Sequence, residues 1–208
     1  MSDLTTGCLK VRDEFASYQG TGILSGVRQY FVRLAGCKVK CPLRKNCDQQ
    51  DALTTEGAID ASVGDLVSRA TKSVGSNGWM HITGGEPFEH PEIFALTSAA
   101  KNAGMQVQIQ TSGSIAFPEM DGVFVSVSPK QMYIMTYASE VILIACDWMT
   151  VEFATTALSG LSCPVFVVPE ATNGEFSSVA AIDMVESLCK LGFDARMGMQ
   201  SHLVWSVK

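Results

Sequence analysis

Short apolar runs alternate with helical patterns along most of this chain of 208 residues, and this alternation limits the folds open to it. Seven runs predict β-strands, at residues 30–34, 79–83, 105–111, 122–128, 141–145, 165–168 and 195–200. Four stretches predict helices, at residues 61–74, 91–103, 149–158 and 176–191. Such an alternation indicates a parallel sheet with helices packed outside it. Seven strands are too few for a closed barrel of eight. The sequence therefore predicts one α/β domain over residues 1–208, built as an open, partial β/α barrel.

Charge and apolar content exclude several classes of function. The net charge is −6 and no long run of Lys or Arg occurs, which argues against nucleic acid as a direct partner. No apolar stretch reaches the ~20 residues of a membrane span, and the N-terminal residues lack the pattern of a signal peptide. The seven cysteines are an odd number and widely spread, unlike a disulfide scaffold. We therefore expect a cytoplasmic protein whose partner is a small molecule or another protein.

Three cysteines, Cys37, Cys41 and Cys47, lie close together after the first predicted strand. Soft thiolates favour an iron–sulfur cluster or zinc. A structural zinc site takes four ligands, whereas three thiolates on a 4Fe–4S cluster leave one iron open. An open iron can bind the amino and carboxylate groups of S-adenosylmethionine, and one electron then breaks its C–S bond to give a 5′-deoxyadenosyl radical. On this loop alone, a zinc knuckle with a distant fourth ligand and cysteines without any metal stay open as alternatives.

Polar or glycine-rich segments also follow the next predicted strands, at the edge where the carboxyl ends of parallel strands meet. Residues 84–87 read Gly-Gly-Glu-Pro; the glycines allow close approach to a ligand, and Glu86 suits an ammonium group. Residues 108–113 and 126–130 contain small hydroxyl residues that can bind ribose, a carboxylate or a pterin edge. A capped strand end is the plainer interpretation of each segment. Lys130 could equally be a surface lysine, and His202 a structural histidine.

Taken together, these segments resemble the radical S-adenosylmethionine superfamily and, within it, the 7-carboxy-7-deazaguanine synthase family. Residues 18–22, Tyr-Gln-Gly-Thr-Gly, resemble the family's Gln-Gly-Glu-Gly turn. Residues 199–202, Met-Gln-Ser-His, resemble its C-terminal Gln-Thr-His. The approach to the first cysteine and the inner strand ends match in order and spacing, at residues 31–37, 82–87, 108–113 and 127–130. The similarity runs through almost the whole chain.

The resemblance implies a shortened barrel of the radical S-adenosylmethionine type that forms a homodimer. It implies a lyase that contracts 6-carboxy-5,6,7,8-tetrahydropterin to 7-carboxy-7-deazaguanine and releases ammonia. Magnesium would assist, and a flavodoxin- or ferredoxin-type protein would donate electrons. The product would feed 7-deazaguanine (queuosine-type) modification of tRNA, or modification of phage DNA. No side chain is assigned as catalytic, because the radical comes from the cofactor.

The resemblance also assigns roles by position. The ligands of the 4Fe–4S cluster would be Cys37, Cys41 and Cys47. The residues that hold S-adenosylmethionine would be Asp48, Thr83, Gly84, Gly85, Glu86, Ser128 and Lys130. The residues that bind the pterin would be Gln19, Gly20, Arg33, Gln110, Thr111, Ser112 and His202. Gln49 would stand at the magnesium position.

Several positions depart from the family pattern. The usual loop is Cys-x3-Cys-x2-Cys, but here five residues separate Cys41 from Cys47. The longer loop can still close on a cluster, because the added closure entropy is small. Gln49 takes the place of a hydroxyl residue that helps to hold magnesium. Three further substitutions fall in the expected pocket, with Thr21 and Gln110 in place of glutamates and Val168 in place of a glutamine.

The loss of two carboxylates should weaken pterin binding unless Glu170 or another group compensates, since one charge-assisted hydrogen bond is worth roughly 1.5–3 kcal/mol. We therefore expect the cofactor part of the site to follow the family more closely than the substrate part. The alternatives are a radical enzyme with an altered substrate, a glycyl-radical activase, and a non-catalytic zinc or cluster protein.

Overall fold

The structure, a computed structural model, describes residues 7–130, 133–172, 175–176 and 178–207. The strands in this part of the chain are β1 (Cys8–Tyr18), β2 (Arg28–Leu34), β3 (Ile59–Ser62), β4 (Trp79–Gly84), β5 (Gln106–Thr111), β6 (Val123–Val127), β7 (Glu140–Ala145), β8 (Val165–Pro169), β9 (Ala171–Thr172), β10 (Glu175–Phe176) and β11 (Ala195–Met197). The helices are α1 (Val63–Val74), α2 (Ile93–Asn102), α3 (Val151–Leu158), α4 (Val179–Lys190) and α5 (Ser201–Trp205).

Nine strands form one sheet, in the order β11-β8-β7-β6-β5-β4-β2-β1-β3. From β2 to β11 the neighbouring strands run parallel, whereas β1 is antiparallel to both β2 and β3. The short strands β9 and β10 pair separately. Within the described residues the sheet ends at β11 and β3 without closing on itself. The predicted open, partial parallel barrel is therefore confirmed.

All seven predicted strands and all four predicted helices occur, with shifted ends. The last long helix begins at Val179 rather than at residue 176, because Phe176 pairs with Ala171 in the small hairpin; residue 177, inside the predicted helix, lies outside the described residues. The final predicted strand stops at Met197, and α5 follows it. The sequence pattern did not indicate α5.

Strand β1 was also missed, because acidic residues interrupt its apolar alternation. Its neighbour β2 supplies the partners of those residues. Asp13 accepts a hydrogen bond at 2.9 Å from Nη1 of Arg33, and Glu14 accepts one at 2.9 Å from the hydroxyl of Tyr30. The polar positions of β1 are thus paired across the sheet, and its apolar residues Leu9 and Val11 join the core.

The helices begin and end where local chemistry directs them. Ser62 caps α1 by accepting a hydrogen bond from the backbone N–H of Asp65, and Gly75 ends the helix with a φ of 86°. Val63 and Leu66 on its buried face belong to the apolar core. Of the helices in the described ranges, none has both the length and the apolar character needed to cross a bilayer.

Alternation along the central strands separates an apolar face of the sheet from a polar one. On β4, Met80 and Ile82 belong to the apolar core, whereas His81 and Thr83 line a cavity. On β5, Val107 and Ile109 lie in the core and the glutamines between and after them face the other way. The polar face is where the candidate site is found.

Candidate active site

One cavity on the polar face of the sheet collects every residue to which the sequence analysis gave a role. It is lined by the three cysteines and the predicted cofactor residues, Cys37, Cys41, Cys47, Asp48, Thr83, Gly84, Gly85, Glu86, Ser128 and Lys130. It is also lined by Gln49 and the predicted substrate residues, Gln19, Gly20, Arg33, Gln110, Thr111, Ser112 and His202. Residues from β1 to α5 therefore meet in one cavity.

The cysteine loop is anchored at its start by backbone hydrogen bonds. The N–H of Gly36 donates to the carbonyl of Ala52 at 2.8 Å, and that of Cys37 donates to the carbonyl of Leu53 at 3.2 Å. Further along, the guanidinium of Arg44 donates to the carbonyl of Cys37 at 3.1 Å, so the inserted residues fold back over the loop. The longer spacing is thus accommodated without removing any of the three thiols from the cavity.

The donor set of the loop suits a cluster better than a single ion. Among the described residues, no group of three or more His, Cys, Asp or Glu side chains converges closely enough to hold one metal ion. Thiolates that bind different iron atoms of one cluster need not converge on a common point, whereas the ligands of zinc must. Three soft thiols on one cavity wall therefore fit a 4Fe–4S cluster.

Two cations lie near the thiols, Arg44 beside Cys37 and Lys130 beside Cys41 and Cys47. Burial raises the pKa of Cys37 and of Cys47, so iron would have to displace a proton from each thiol. Burial also lowers the pKa of Lys130, while electrostatic interactions with Cys41 and Asp48 oppose that lowering. Its ammonium donates to the hydroxyl of Ser128 at 2.8 Å. Lys130 is consequently part of the cavity wall beside the cysteines rather than a free surface lysine.

The Gly-Gly-Glu-Pro turn packs directly onto the start of the cysteine loop. The N–H of Gly85 donates to the carbonyl of Leu34 at 2.8 Å, and the N–H of Glu86 donates to that of Gly36 at 3.0 Å. A Cβ atom on Gly85 would lie 1.9 Å from the carbonyl oxygen of Gly36. Only glycine permits this approach, and Gly84 has a φ of 101°. The turn therefore fixes the position of the residue before Cys37.

Glu86 is held by Thr111, the last residue of β5, and by Ser112, which follows it. Its carboxylate is 1% exposed and accepts hydrogen bonds from the hydroxyl of Thr111 at 2.6 Å. It also accepts them from the N–H of Ser112 at 3.0 Å and from its hydroxyl at 2.5 Å. The sequence predicted Thr111 and Ser112 as substrate ligands. The structure places both in the cavity but engages their hydroxyls with Glu86, so they fix the direction of a predicted cofactor residue.

Arg33 lies in a network of acids and an amide. Its Nη1 donates to Asp13 at 2.9 Å and to Asp51 at 3.2 Å, and its Nη2 donates to Asp51 at 2.6 Å. Its Nε donates to the side-chain oxygen of Gln49. These contacts use four of the five N–H groups of a guanidinium.

The same network bears on the magnesium prediction. The oxygen of Gln49 that would have to bind the ion accepts a hydrogen bond from Arg33 instead. No metal-binding group of His, Cys, Asp or Glu side chains is found among the described residues. Arg33 therefore competes with an ion for this oxygen.

The C-terminal segment closes the cavity at the loop that follows β1. The N–H of Ser201 donates to the carbonyl of Gly20 at 2.9 Å, and a Cβ atom on Gly20 would lie 2.2 Å from Nδ1 of His202. Burial lowers the pKa of His202, and the charge of Asp48 opposes this. The sequence motifs around Gln19 and His202 are thus brought into contact, although they lie at opposite ends of the chain.

The sequence analysis missed the aromatic wall of the cavity. Phe15 stacks on Phe31 with ring centroids 5.3 Å apart, and Phe31 stacks on His81 at 4.5 Å. His81 is fully buried, and burial lowers its pKa to about 3, with the Gln110 side chain opposing the shift. The signal available in the sequence was position. Phe31 and His81 each stand two residues before a predicted site residue, and Phe15 lies opposite Phe31 in the register of β1 with β2.

The three substituted positions, Thr21, Gln110 and Val168, all line the cavity. Glu170, which was considered as a replacement for a missing carboxylate, is not among the described residues that line the cavity. A different carboxylate, that of Glu140, lies below the loop after β1, where it accepts hydrogen bonds from the N–H of Ile23 at 2.7 Å and the hydroxyl of Ser126 at 2.9 Å. Burial raises its pKa. Its contacts support the loop that carries Thr21.

Comparison with known proteins identifies the family. No family model matches the chain. The 7-carboxy-7-deazaguanine synthase of Synechocystis sp. is 34% identical over 164 residues, which are 73% of this chain and 74% of that protein. The synthase of Aquifex aeolicus is 33% identical over 130 residues, 61% of this chain and 57% of that protein. That of Hyperthermus butylicus is 36% identical over 60% of this chain and 53% of that protein. The chain thus spans between about half and three quarters of the length of these relatives.

A solved structure shows the same fold. The crystal structure of QueE from Escherichia coli superposes with a TM-score of 0.75 and covers 92% of this chain and 93% of that one, at 23% identity. Similarity at this level concerns the architecture. The evidence for the family comes from the Synechocystis relative, of which the match covers 74% at 34% identity. The chain belongs to the 7-carboxy-7-deazaguanine synthase family of enzymes, as the motifs predicted.

Proposed function

We propose that this chain is a radical S-adenosylmethionine enzyme that contracts 6-carboxy-5,6,7,8-tetrahydropterin to 7-carboxy-7-deazaguanine and releases ammonia. One observation carries the proposal: three thiols and the predicted pterin residues share a single cavity in a chain that belongs to the synthase family. The product would serve 7-deazaguanine modification of tRNA or of phage DNA.

The cysteines would hold the cofactor at one end of the cavity. Cys37, Cys41 and Cys47 would bind three irons of a 4Fe–4S cluster and leave the fourth for S-adenosylmethionine. When bound, this pair supplies the radical that starts the rearrangement. The carboxylate of Glu86 would place its negative charge near the amino group of S-adenosylmethionine, and its oxygens are held in position by the hydrogen bonds from Thr111 and Ser112.

The pterin would lie between the aromatic wall and the loop after β1. Gln19 and His202 face this part of the cavity from the two ends of the chain. Arg33 is paired with two carboxylates, so its charge is largely neutralised before substrate arrives. It would contribute one directed N–H rather than a free cation.

The substitutions favour one second candidate. Thr21, Gln110 and Val168 line the cavity and remove carboxylate and amide groups from it, which would suit a related heterocycle with fewer N–H donors. No described contact singles out a glycyl-radical activase or a zinc protein, and membership of the synthase family argues against both.

The test is turnover by anaerobically purified and reconstituted protein. We expect iron and sulfide in a ratio that fits one 4Fe–4S cluster, and formation of 7-carboxy-7-deazaguanine from the tetrahydropterin in the presence of S-adenosylmethionine and a reductant. Zinc without sulfide would overturn the radical scheme. Cleavage of S-adenosylmethionine without ring contraction would favour the altered substrate, whereas ring contraction at ordinary rates would exclude it.

The electron donor is proposed from charge. Lys38, Lys40, Arg44 and Lys45 are exposed on the cysteine loop, although the chain as a whole carries a net charge of −6. This basic surface suits an acidic flavodoxin or ferredoxin, and such docking should weaken as salt rises. We expect donor-driven turnover to fall with ionic strength while turnover driven by a small chemical reductant changes little. Equal salt dependence of the two would contradict the proposal.

A cytoplasmic homodimer is proposed from the family alone. Sedimentation equilibrium on the purified protein tests it: a mass twice that of the 22.3 kDa chain is expected. A mass equal to that of one chain would overturn it.

A further inference from the structure

His81 stands out among the cavity residues because one of its ring nitrogens has no partner. The side chain is 0% exposed, yet it lines the cavity. Its Nε2 is buried without a close hydrogen bond from any described residue, and the side chain of Gln110 interacts with the ring only strongly enough to oppose the fall in its pKa. An unpaired polar atom is unfavourable in a folded protein, and it is most readily explained here by a ligand that supplies the missing bond.

The contacts of the other ring nitrogen decide which tautomer is present. Nδ1 lies 2.7 Å from the side-chain oxygen of Gln29 and 3.2 Å from the side-chain nitrogen of Gln19. It can donate to the first or accept from the second, but not both. Both amides are oriented by a second bond, since the nitrogen of Gln29 donates to Gln108 at 2.9 Å and the oxygen of Gln19 accepts from the N–H of Gly20 at 2.7 Å. Because the contact to Gln29 is the shorter of the two, we assign it to an Nδ1–H donor.

A proton on Nδ1 leaves Nε2 as a hydrogen-bond acceptor. Burial lowers the pKa of His81 to about 3, so the ring is neutral at physiological pH and keeps this lone pair. The ring is also fixed in orientation, since it stacks on Phe31 with an angle of 20° between the planes. A fixed neutral acceptor in a flat aromatic wall recognises an N–H group at the edge of a planar heterocycle.

We infer that His81 is a specificity-determining residue, whose Nε2 accepts a hydrogen bond from an N–H of the aminopyrimidinone half of the substrate. Gln29 acts as a positioning residue that keeps the required tautomer. The neighbouring side chain of Gln110 also lines the cavity and offers an amide oxygen as a second neutral acceptor. This inference rests on the proposed function, and it gives the substrate half of the site neutral acceptors where two carboxylates are missing.

Equilibrium binding of 6-carboxytetrahydropterin to the purified protein tests the inference. We expect His81→Phe, which keeps the ring stack and removes both nitrogens, to weaken pterin binding by about tenfold or more. The affinity for S-adenosylmethionine should stay unchanged. His81→Gln, which restores an acceptor, should recover part of the loss and also serves if the phenylalanine variant folds poorly.

A matched control is His90, which also has a buried Nε2 without a partner among the described residues but does not line the cavity there. His90→Phe should leave pterin affinity unchanged. A pterin analogue without the 2-amino group separates recognition from packing. The wild-type protein should bind this analogue more weakly than 6-carboxytetrahydropterin, and His81→Phe should show much less of this difference in affinity.

The outcomes separate this inference from the proposed function. If wild-type protein contracts the pterin and folded His81→Phe binds it as tightly as wild type, the inference alone is overturned. An equal loss in the two phenylalanine variants would overturn it as well. If wild-type protein neither binds nor converts the pterin, the proposed function fails and this inference fails with it.

Discussion

The two halves of the cavity are built by different means. In the cofactor half, formed by the cysteine loop, the Gly-Gly-Glu-Pro turn, Ser128 and Lys130, backbone turns after strands do most of the positioning. In the substrate half, formed by Gln19, His81, Gln110, His202 and the aromatic wall, side chains on neighbouring strands position one another. The first arrangement depends on local sequence, whereas the second depends on strand register. Substitutions therefore accumulate in the second without disturbing the first.

The largest effect on the cofactor half is expected from substitution of its cysteines. Cys37→Ala removes a thiolate that the cluster needs, so we expect complete loss of 5′-deoxyadenosine formation, with or without pterin. Iron and sulfide content of the anaerobic protein should fall in parallel. Cys189→Ala is the matched control, because Cys189 is exposed and lies on α4. Unchanged activity in Cys37→Ala would place the cluster elsewhere.

The turn is the next most sensitive element of the cofactor half. Gly85→Ala would force a Cβ atom to within 1.9 Å of the Gly36 carbonyl, and the backbone must shift. We expect a loss of about 1–3 kcal/mol in the free energy of unfolding, measured by denaturant titration, together with weaker binding of S-adenosylmethionine. Gly64→Ala serves as control, because Gly64 lies within α1, where the helical backbone favours alanine over glycine. Equal losses at both positions would argue against close packing as the cause.

Stability at low pH sharpens the description of the substrate half. The folded pKa of His81 is about 3, below the ~6.5 of an unfolded histidine. As pH falls below ~6.5, only the unfolded chain takes up this proton, so the contribution of His81 to stability is lost with falling pH. Between pH 7 and pH 5, wild type should lose about 2 kcal/mol more unfolding free energy than His81→Phe. Equal losses of unfolding free energy in the two proteins, measured by urea titration, would show that the pKa of His81 is not lowered in the folded protein.

The smallest expected effect concerns magnesium. The side-chain oxygen of Gln49 already accepts a hydrogen bond from Arg33, which competes with a metal for that oxygen. Ring contraction in metal-depleted buffer should therefore equal that with added magnesium, within the error of the assay. Gln49→Ser, which restores a hydroxyl and releases Nε of Arg33, is the informative variant. A strong stimulation of the wild-type protein by magnesium would contradict the network described around Arg33.

Much of the cofactor half could be predicted from sequence, because cysteine spacing and paired glycines are local signals. The partners of the predicted residues could not. Thr111 and Ser112 were expected to face substrate, but they hold Glu86, which lies one strand away. The contact between His81 and Gln29 depends on the register of β2 against β4, since their residues lie 52 positions apart in the chain.

The overall fold shows the same division. The parallel strands were predicted because each carries a short apolar run or an alternation of apolar and polar residues, both of which are signals within the strand itself. Strand β1 was missed because its acidic residues are stabilised by partners distant in sequence, Arg33 and Tyr30 on β2 and Arg69 on α1. Such pairing is a property of the assembled sheet, and no pattern within β1 reveals it.

The central claim is that the two halves act separately, and one comparison tests it directly. Reconstituted wild-type and His81→Phe proteins would be assayed anaerobically for 5′-deoxyadenosine without pterin and for 7-carboxy-7-deazaguanine with limiting pterin. We predict equal 5′-deoxyadenosine formation in the two proteins and a drop of about tenfold or more in ring contraction by the variant. A parallel fall in both products would contradict the claim, because it would show that the substrate half and the cofactor half do not act separately.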